Sequence, residues 1–551
     1  MISSRHFMRQ LLWSSVLLLL SGVWLCAQGP LDPALLKKAP VDAWPTYHGD
    51  YSGQHHSTLD QINRSNVKAL SLAWVYRSNL SETGAITGGE VKPGDAPIWL
   101  SYLGPQSIKS IPLMVNGVLY YSMPDHAWAV DARTGQEIWH YFWKTRGGIH
   151  IGNRGLGMYN SWLFMETPDC YLVSLDATSG KERWHKLIAD VKQEYFCTPA
   201  PVVIREHVIV GMGGDSLDVP GWLESRDPES GEIQWKWYTT PRPGQPGAET
   251  WPDAYSMEHG GGMPWQPPTY DPELNLLYVP TGNPNPVMAG QSRKGDNLWT
   301  ASIVALNPDT GKMAWAFQTS PHDTHDWDAA QVPVLIDGTI NGQPRKLVAQ
   351  AARNGFYFLL DRTNGKNLIS KPFAETLNWY KGVDAKGSPI PNPDKNPQLD
   401  GTIVSPTSTG ITNWPAPAFD PQTGLLYVGT EQTYSIYYLA DTTARPQGYG
   451  AIERRLATAG NYLRALDYKT GELKWKVPTT GGPQGLLSTA GGLVFGTDGA
   501  GNFIAFDTRD GAPLWHAGIG TTTNAPISYM LDGKQYIVVG AGDSLYAFYL
   551  Q

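Results

Sequence analysis

Asp131-Ala132-Arg133-Thr134-Gly135-Gln136-Glu137-Ile138-Trp139 is one copy of a unit that recurs along the chain. The frame Asp-x-x-x-Gly-x-x-x-Trp returns at Asp176/Gly180/Trp184, Asp227/Gly231/Trp235, Asn307/Gly311/Trp315, Asp467/Gly471/Trp475 and Asp507/Gly511/Trp515. Two degraded copies bring the count to eight: Asp361/Gly365, with Ile369 where the Trp would stand, and Asn66/Trp74, with Leu70 where the Gly would stand. Self-similarity of this kind marks a repeat architecture. An alternating apolar strand precedes the Asp, as in Tyr171–Leu175 and Asn502–Phe506. The Asp side chain accepts backbone N–H groups within the turn, and the Gly takes a positive-φ position that a Cβ would penalise. The next strand carries the Trp, whose large flat ring suits the gap between neighbouring sheets. Each unit is therefore a hairpin, and radial repetition lets each small sheet bury its faces against the next. The expected fold is all-β, an eight-bladed β-propeller with Trp-docking repeats. Alternation of apolar positions with period two argues against a helical solenoid.

Spacing between copies is short from Asp131 to Asp176 and from Asp467 to Asp507. It lengthens from Asp227 to Asn307 and is longest from Asp361 to Asp467. The additional residues, rich in Gly, Pro, Asn and His, are expected as loops over one face of the disk. The C-terminal strands Gln535–Gly540 and Ser544–Leu550 are expected to close the ring beside the first blade.

Composition bounds the function. The 551 residues are 41% hydrophobic and 17% charged, with 22 Trp and 27 Tyr, ample for a large core on pleated surfaces. A net charge of -8 without a Lys/Arg run leaves no electrostatic footprint for nucleic acid or an anionic membrane. Near the N-terminus, Arg5 and Arg9 precede Leu11-Leu12-Trp13-Ser14-Ser15-Val16-Leu17-Leu18-Leu19-Leu20, and small or apolar residues continue to Ala27. This reads as a secretory signal over residues 1–27, followed by a linker at 28–43 and the propeller at 44–551. The run is short for a membrane span and is broken by Ser14, Ser15 and Ser21. Cys26 would suit a lipid anchor, but Trp24-Leu25 makes a poor lipobox. Periplasmic or otherwise exported placement is expected, with soluble and membrane-associated forms both open. Cys170 and Cys197 remain after such a cut, and their spacing fits either a pair or two buried thiols. No Cys-x-x-Cys-His occurs, so the chain carries no c-type haem of its own.

Other segments are more specific than the repeat. Trp44-Pro45-Thr46-Tyr47-His48-Gly49-Asp50-Tyr51-Ser52-Gly53, with Leu59–Arg64 after it, resembles the opening of the pyrroloquinoline quinone (PQQ) dehydrogenases. Tyr270–Tyr278 with Thr281-Gly282-Asn283, and Arg353-Asn354-Gly355-Phe356 with Leu360-Asp361-Arg362, resemble the same family. The likeness runs from about Trp44 to the C-terminus. It implies oxidation of an alcohol or related substrate. In that chemistry the PQQ orthoquinone accepts a hydride, a bound Ca2+ polarises its carbonyl, and an Asp takes the hydroxyl proton.

Carried over residue by residue, the resemblance places Asp328 at the general-base position, also beside the metal, and Arg353 at the cation facing the reactive quinone oxygens. Asn283 matches a Ca2+ ligand, its amide oxygen suited to a hard cation. Trp265 falls where an indole lies against the quinone plane. Arg154 and Thr198 fall where cofactor carboxylates and carbonyls are held, and Asn413 matches another polar contact to the cofactor. Taken singly, an Asp beside a Trp is ordinarily a turn residue, an Arg is solvated, and a propeller Trp is core. Seven matches in the family's order distinguish these.

The departures are as informative. Gly148-Ile149 stands where the family has two adjacent cysteines, so that disulfide cannot form. The acidic Ca2+ ligand aligns on Ser216, with Asp215 and Asp218 as nearby substitutes. A Glu at the cofactor aligns on Lys109, a tolerable exchange because an ammonium pairs with a polyanionic cofactor. A Trp near the start of the last blade aligns on Pro483. Ala330, two residues after Asp328, stands where lanthanide-using relatives carry a second Asp, which favours Ca2+. The pocket is partly rebuilt, and two outcomes are compatible with that. One is a divergent enzyme that oxidises an alcohol, polyol or sugar and passes electrons to a cytochrome c or a membrane quinone. The other is a non-catalytic propeller that binds envelope proteins. A third reading, a metal-dependent hydrolase, rests on His322-Asp323-Thr324-His325-Asp326 alone, whose alternation suits a transition metal.

Overall fold

The computed structural model describes residues 29–78, 107–145, 152–214, 217–482, 484–522 and 524–551. The expected signal segment, the positions Gly148 and Ile149, and Asp215, Ser216 and Pro483 lie outside the described residues. Among the described residues the chain is all-β, with one short α-helix at Ala254–Glu258 and scattered 3-10 turns.

The quoted turn folds as its residue types dictate. Asp131 Oδ1 accepts from the backbone N–H of Arg133 and of Thr134, both at 2.9 Å, and Gly135 N–H closes the turn onto the Asp131 carbonyl at 2.9 Å. Around it, strands Leu113–Val115, Val118–Met123, His126–Asp131 and Glu137–Phe142 pair antiparallel in chain order. Eight sheets of four or five strands are found among the described residues, with a further two-stranded sheet at Tyr380–Val383 and Pro389–Pro391. Middle strands such as Val118–Met123 are buried throughout, whereas last strands such as Glu182–Leu187 are largely open to solvent. A middle strand lies between two neighbouring sheets, so both its faces are apolar; period-two alternation survives only toward the rim.

Aromatic rings join successive sheets. The Trp139 indole N–H donates to the Ala177 carbonyl in the next turn at 2.8 Å, and a Cβ built on Gly180 would lie 2.6 Å from the Trp139 ring. At φ 68°, Gly180 thus serves both the left-handed turn and the close approach of the indole. Trp74 reaches Ala132 O, Trp235 reaches Pro308 O, Trp315 reaches Arg362 O and Trp475 reaches Thr508 O. Trp515 donates to Leu70 O at 3.1 Å, linking the sheet of the Asp507 turn to the strand Leu70–Arg77. That strand pairs with Ser544–Leu550, so chain segments from both ends share one sheet.

Three features differ from the sequence reading. Ile369 does not replace the missing tryptophan of its copy. Tyr357, one strand earlier, lies against Gly471 and donates to the Tyr468 carbonyl at 2.8 Å. The long stretch before Asp467 is not simply loop: Leu425–Leu439 and Ala451–Asp467 form a long hairpin. Residues 28–43, expected as a linker, are in part seated on the sheets, with Leu31 and Leu36 buried and Leu31 N–H bonded to Asn160 O at 2.9 Å. Cys170 and Cys197 are joined by a disulfide, which settles the alternatives left by their spacing. No helix among the described residues is long and apolar enough to cross a membrane.

Tyr357→Ala removes a buried ring and a hydrogen bond. It is expected to destabilise the fold by about 3–5 kcal/mol, whereas Ile369→Ala, at a half-buried position, should cost far less. Thermal and urea unfolding of the two variants makes the comparison.

Candidate active site

The singled-out residues occupy equivalent places in the repeat. Lys109, Arg154, Thr198, Trp265, Asp328 and Asn413 lie in the segments leading into Leu113–Val115, Gly157–Tyr159, Val202–Ile204, Thr269–Asp271, Val334–Ile340 and Ala418–Asp420, each the first strand of its hairpin series. Asn283 and Arg353 follow the second strands Leu276–Pro280 and Gln343–Ala351. Loops at one end of the sheets thus carry all eight.

Asp328, Arg353, Asn283 and Trp265 converge. Asp328 Oδ2 accepts from Arg353 Nη1 at 2.7 Å and from the Trp265 indole N–H at 2.9 Å, while Oδ1 accepts from the Asn283 backbone N–H at 2.6 Å. Arg353 Nη2 also reaches Asp326 Oδ2 at 3.3 Å, and Nε donates to the Ser408 carbonyl at 2.8 Å. Asp328 and Arg353 are both buried. Burial raises the proton affinity of Asp328, against the pull of Arg353 and the three N–H donors. For Arg353, burial is outweighed by Asp326, Asp328 and Asp323, and its proton is held more tightly than usual. Asp326 joins this pair although the resemblance gave it no role; its two-residue offset from Asp328 was the available signal.

The Asn283 amide tests whether a cation fits. With its nitrogen toward the carboxylates it donates to Asp328 Oδ1 at 2.7 Å and Asp326 Oδ1 at 3.3 Å. Turned over, the amide oxygen takes that place, and three oxygens face one another. Such a donor set suits a hard cation, which draws about 6–8 oxygens, so groups beyond these three must complete it. Asp218 is committed elsewhere: its Oδ1 accepts from Gly448 N–H at 2.9 Å.

Arg154, Lys109 and Thr198 form a second cluster. The Arg154 guanidinium lies 4.6 Å from the Trp265 ring centroid and 4.8 Å from that of Trp414. Its Nη1 donates to Thr198 Oγ1 at 2.6 Å. Burial lowers the Arg154 pKa to about 10, and burial followed by the Arg154 charge lowers Lys109 to about 8. Glu166, fully buried nearby, is pushed well above the usual carboxylate range, first by burial. Two desolvated cations, one of them against indole faces, fit a planar, multiply anionic ligand. Arg154 covers the face of Trp265, so a quinone stacked on this indole must take over that face or use the other. Trp414 was missed as a stacking partner, although it adjoins Asn413. Asn413 itself turns its amide to its own loop, donating to Thr409 O and accepting from Trp414 N–H, both at 2.8 Å.

The His-Asp run assembles no metal site among the described residues. His322 Nδ1 bonds Gly295 O at 2.7 Å and His325 Nε2 bonds Lys395 O at 2.8 Å. Burial lowers both rings to a pKa of about 4, so they are neutral struts. A cavity of about 290 Å³ beside Asp50, Tyr270 and Arg362 is lined by none of the eight residues.

Comparison with known proteins defines the class. The family model described as "Glucose/ethanol/alcohol dehydrogenase, beta-propeller domain" matches residues 44–375, and one described as "Outer membrane protein assembly factor BamB" matches residues 418–550. The quinohemoprotein alcohol dehydrogenase of Comamonas testosteroni is 34% identical over 91% of this chain and 72% of its own length. The solved structure of the quinohemoprotein alcohol dehydrogenase ADHIIG from Pseudomonas putida HK5 matches with TM-score 0.83 at 29% identity, covering 94% of this chain and 82% of that one. A europium-containing methanol dehydrogenase matches with TM-score 0.81 at 29% identity, covering 94% of this chain and 99% of that one. Two of these relatives are named quinohemoprotein alcohol dehydrogenases. The chain belongs to the PQQ-dependent, or quinoprotein, alcohol dehydrogenase family.

The cation pair gives a pH prediction of two opposite signs. Lys109 releases its proton near pH 8 in the fold, against 10.5 ordinarily. Above about pH 8 the affinity for an anionic cofactor should therefore fall. Stability of the apo-protein should instead rise between about pH 8 and pH 10.5, because there the unfolded chain holds a proton that the fold does not. Absorbance titrations with PQQ and thermal unfolding at about pH 7 and pH 9.5 measure the two, and Lys109→Met should flatten both.

Proposed function

We propose that this protein is a periplasmic PQQ-dependent dehydrogenase that oxidises an alcohol, polyol or sugar, with Asp328 as general base and Arg353 as its electrostatic partner. The observation that carries the reading is the buried Arg353–Asp328 contact at 2.7 Å, flanked by Asn283 and Trp265. The same reading takes the eight sheets as blades of a closed eight-bladed propeller with Trp docking, spanning residues 44–551. The order of the ring contacts, which returns through Trp515 to Leu70, supports it. A disulfide at Cys170–Cys197 supports an oxidising compartment, in keeping with a signal at residues 1–27. Electrons leave to an external acceptor, a cytochrome c or a membrane quinone; one relative at 30% identity is named 1-butanol dehydrogenase (cytochrome c).

Bound PQQ supplies the two-electron acceptor, and a Ca2+ ion supplies the Lewis acid. Lys109, Arg154 and Thr198 would hold the cofactor's carboxylates and carbonyls and Trp265 would support the ring, while Asn413, whose amide bonds Thr409 O and Trp414 N–H, would have to turn to add a further polar contact. Asn283, Asp328 and Asp326 offer oxygens to the ion, and Ala330 in place of a second Asp favours Ca2+. Asp328 takes the substrate hydroxyl proton. Its three N–H donors occupy most of the roughly four lone-pair sites of a carboxylate, so one of them must be given up for Asp328 to serve both the ion and that proton. The Arg353 charge opposes the effect of burial on Asp328 and favours its ionised form. The alternative of a non-catalytic scaffold draws on the match of residues 418–550 to the assembly-factor model. It gives no reason for burying Arg353, Arg154 and Lys109 at one end of the sheets.

Apo-protein supplied with PQQ and Ca2+ should gain quinone absorbance and reduce a dye in the presence of an alcohol. Asp328→Asn should cut turnover by about 10²–10⁴-fold while keeping the cofactor. Absence of PQQ binding by the unmodified protein would overturn the reading.

A further inference from the structure

Arg353 is held from behind by a segment that the family reading does not explain. Its Nε donates to Ser408 O at 2.8 Å, and its own carbonyl accepts from Ile411 N–H at 2.9 Å. A Cβ on Gly410 would lie 2.3 Å from Arg353 Cγ, so the 407–411 turn packs directly on this side chain. The same turn takes the Trp327 indole N–H on Thr407 O at 2.9 Å. Further along, Gln331 Nε2 reaches Thr412 Oγ1 at 2.7 Å, and Trp414 stacks on Arg154. One segment therefore touches both the carboxylate cluster and the cation cluster.

The anchor of that segment is Glu453, on the long hairpin. Glu453 Oε1 accepts from Ser408 N–H at 3.0 Å, and Oε2 accepts from the Ser408 hydroxyl. Across the hairpin it pairs with Tyr437, whose buried hydroxyl faces it, and His325 lies close enough to sense its charge. A carboxylate grips both donors of one serine, and the carbonyl of that serine grips the guanidinium. Charge-assisted bonds are roughly twice as strong as neutral ones, so this is a firm attachment in a turn that otherwise offers mostly neutral groups.

We infer that Glu453 is a positioning residue for the oxidation site: through Ser408 it fixes the 405–414 segment and so sets Arg353 against Asp328. The inference rests on the proposed dehydrogenase reading for its consequence in turnover, but not for its structural content. Three variants test it: Glu453→Ala, Glu453→Gln, whose amide can still accept from Ser408 N–H and donate to its hydroxyl, and Arg353→Lys. In apo-protein, hydrogen exchange should accelerate at Gly410 and Ile411 in Glu453→Ala, with protection of the sheets unchanged. In protein loaded with PQQ and Ca2+, kcat should fall about ten- to hundredfold, the cost of a small misplacement, with quinone absorbance retained and a smaller change in KM. Glu453→Gln should restore most of both. Combining Glu453→Ala with Arg353→Lys should add little to Arg353→Lys alone, because both act on one group. Unaltered exchange at Gly410 and Ile411, or strictly additive losses in kcat, would overturn the inference. Failure of the unmodified protein to bind PQQ would overturn the dehydrogenase reading and leave the exchange result to decide this one.

Discussion

The contact between an aromatic ring and the turn glycine of the following repeat sets the geometry of this molecule. It requires a residue without Cβ at a left-handed turn and a flat ring long enough to cross from one sheet to the next, as at Gly180 and Trp139. At Trp139 the indole N–H then finds the Ala177 carbonyl beside that turn, whereas the buried N–H of Trp184, packed on Gly231, has no hydrogen-bond partner among the described residues. The steric problem is the same in each copy that keeps the turn glycine. Functional loops can then differ freely in length and composition. Where one copy lacks its tryptophan, Tyr357 fills the gap from the adjacent strand and keeps the hydrogen bond. The requirement is for a ring with a donor in that space, not for a residue at a fixed offset from the Asp.

On this scaffold the costly element is the buried Arg353–Asp328 contact. Removing both charges from water is unfavourable, and the pair persists only because each remaining polar atom is also bonded. Arg353 spends its fork on Asp328, Asp326 and Ser408 O, while Asp328 takes two further N–H donors from Asn283 and Trp265. The second cluster is built on the opposite principle. The proton affinities of Lys109 and Arg154 are lowered, in both cases first by burial. Two carboxylates face one guanidinium in the first cluster, whereas two cations lie close together in the second.

How much of this was legible in the sequence depends on the range of the interactions. The turn is local: Asp131, Thr134 and Gly135 satisfy one another within a few residues, and the pattern names them. The strands at either end of the chain were expected together, and Leu70–Arg77 and Ser544–Leu550 indeed share a sheet. Asp328, Arg353, Asn283 and Trp265 were nameable through resemblance, but their mutual bonds were not, since they join residues up to 63 positions apart. Long-range substitution was invisible for the same reason. Nothing local marks Tyr357 as standing for a tryptophan, or Cys170 as the partner of Cys197. The His-Asp run shows the converse failure: alternation suggested a metal site, yet the backbone carbonyls of Gly295 and Lys395 take the two rings.

The substitution of Lys109 for a family carboxylate now acquires a physical sense. A glutamate there would sit beside Arg154 and neutralise it, and the pocket would present less net positive charge to a cofactor. With Lys109 there, the Arg154 charge adds to burial in lowering the proton affinity of the lysine, and on the proposed reading the carboxylates of a bound polyanion would pair with both cations. Stacking changes in the same direction. Positions 148 and 149 are not cysteines, so a sulfur pair is not among the groups that can cover a bound ring. Trp265 and Trp414 instead hold a guanidinium between them, the one cationic group that stacks as well as it pairs. On the proposed reading, recognition would rest on charge and cation–π contact, and the 405–414 segment carries Trp414 at one end and the support of Arg353 at the other.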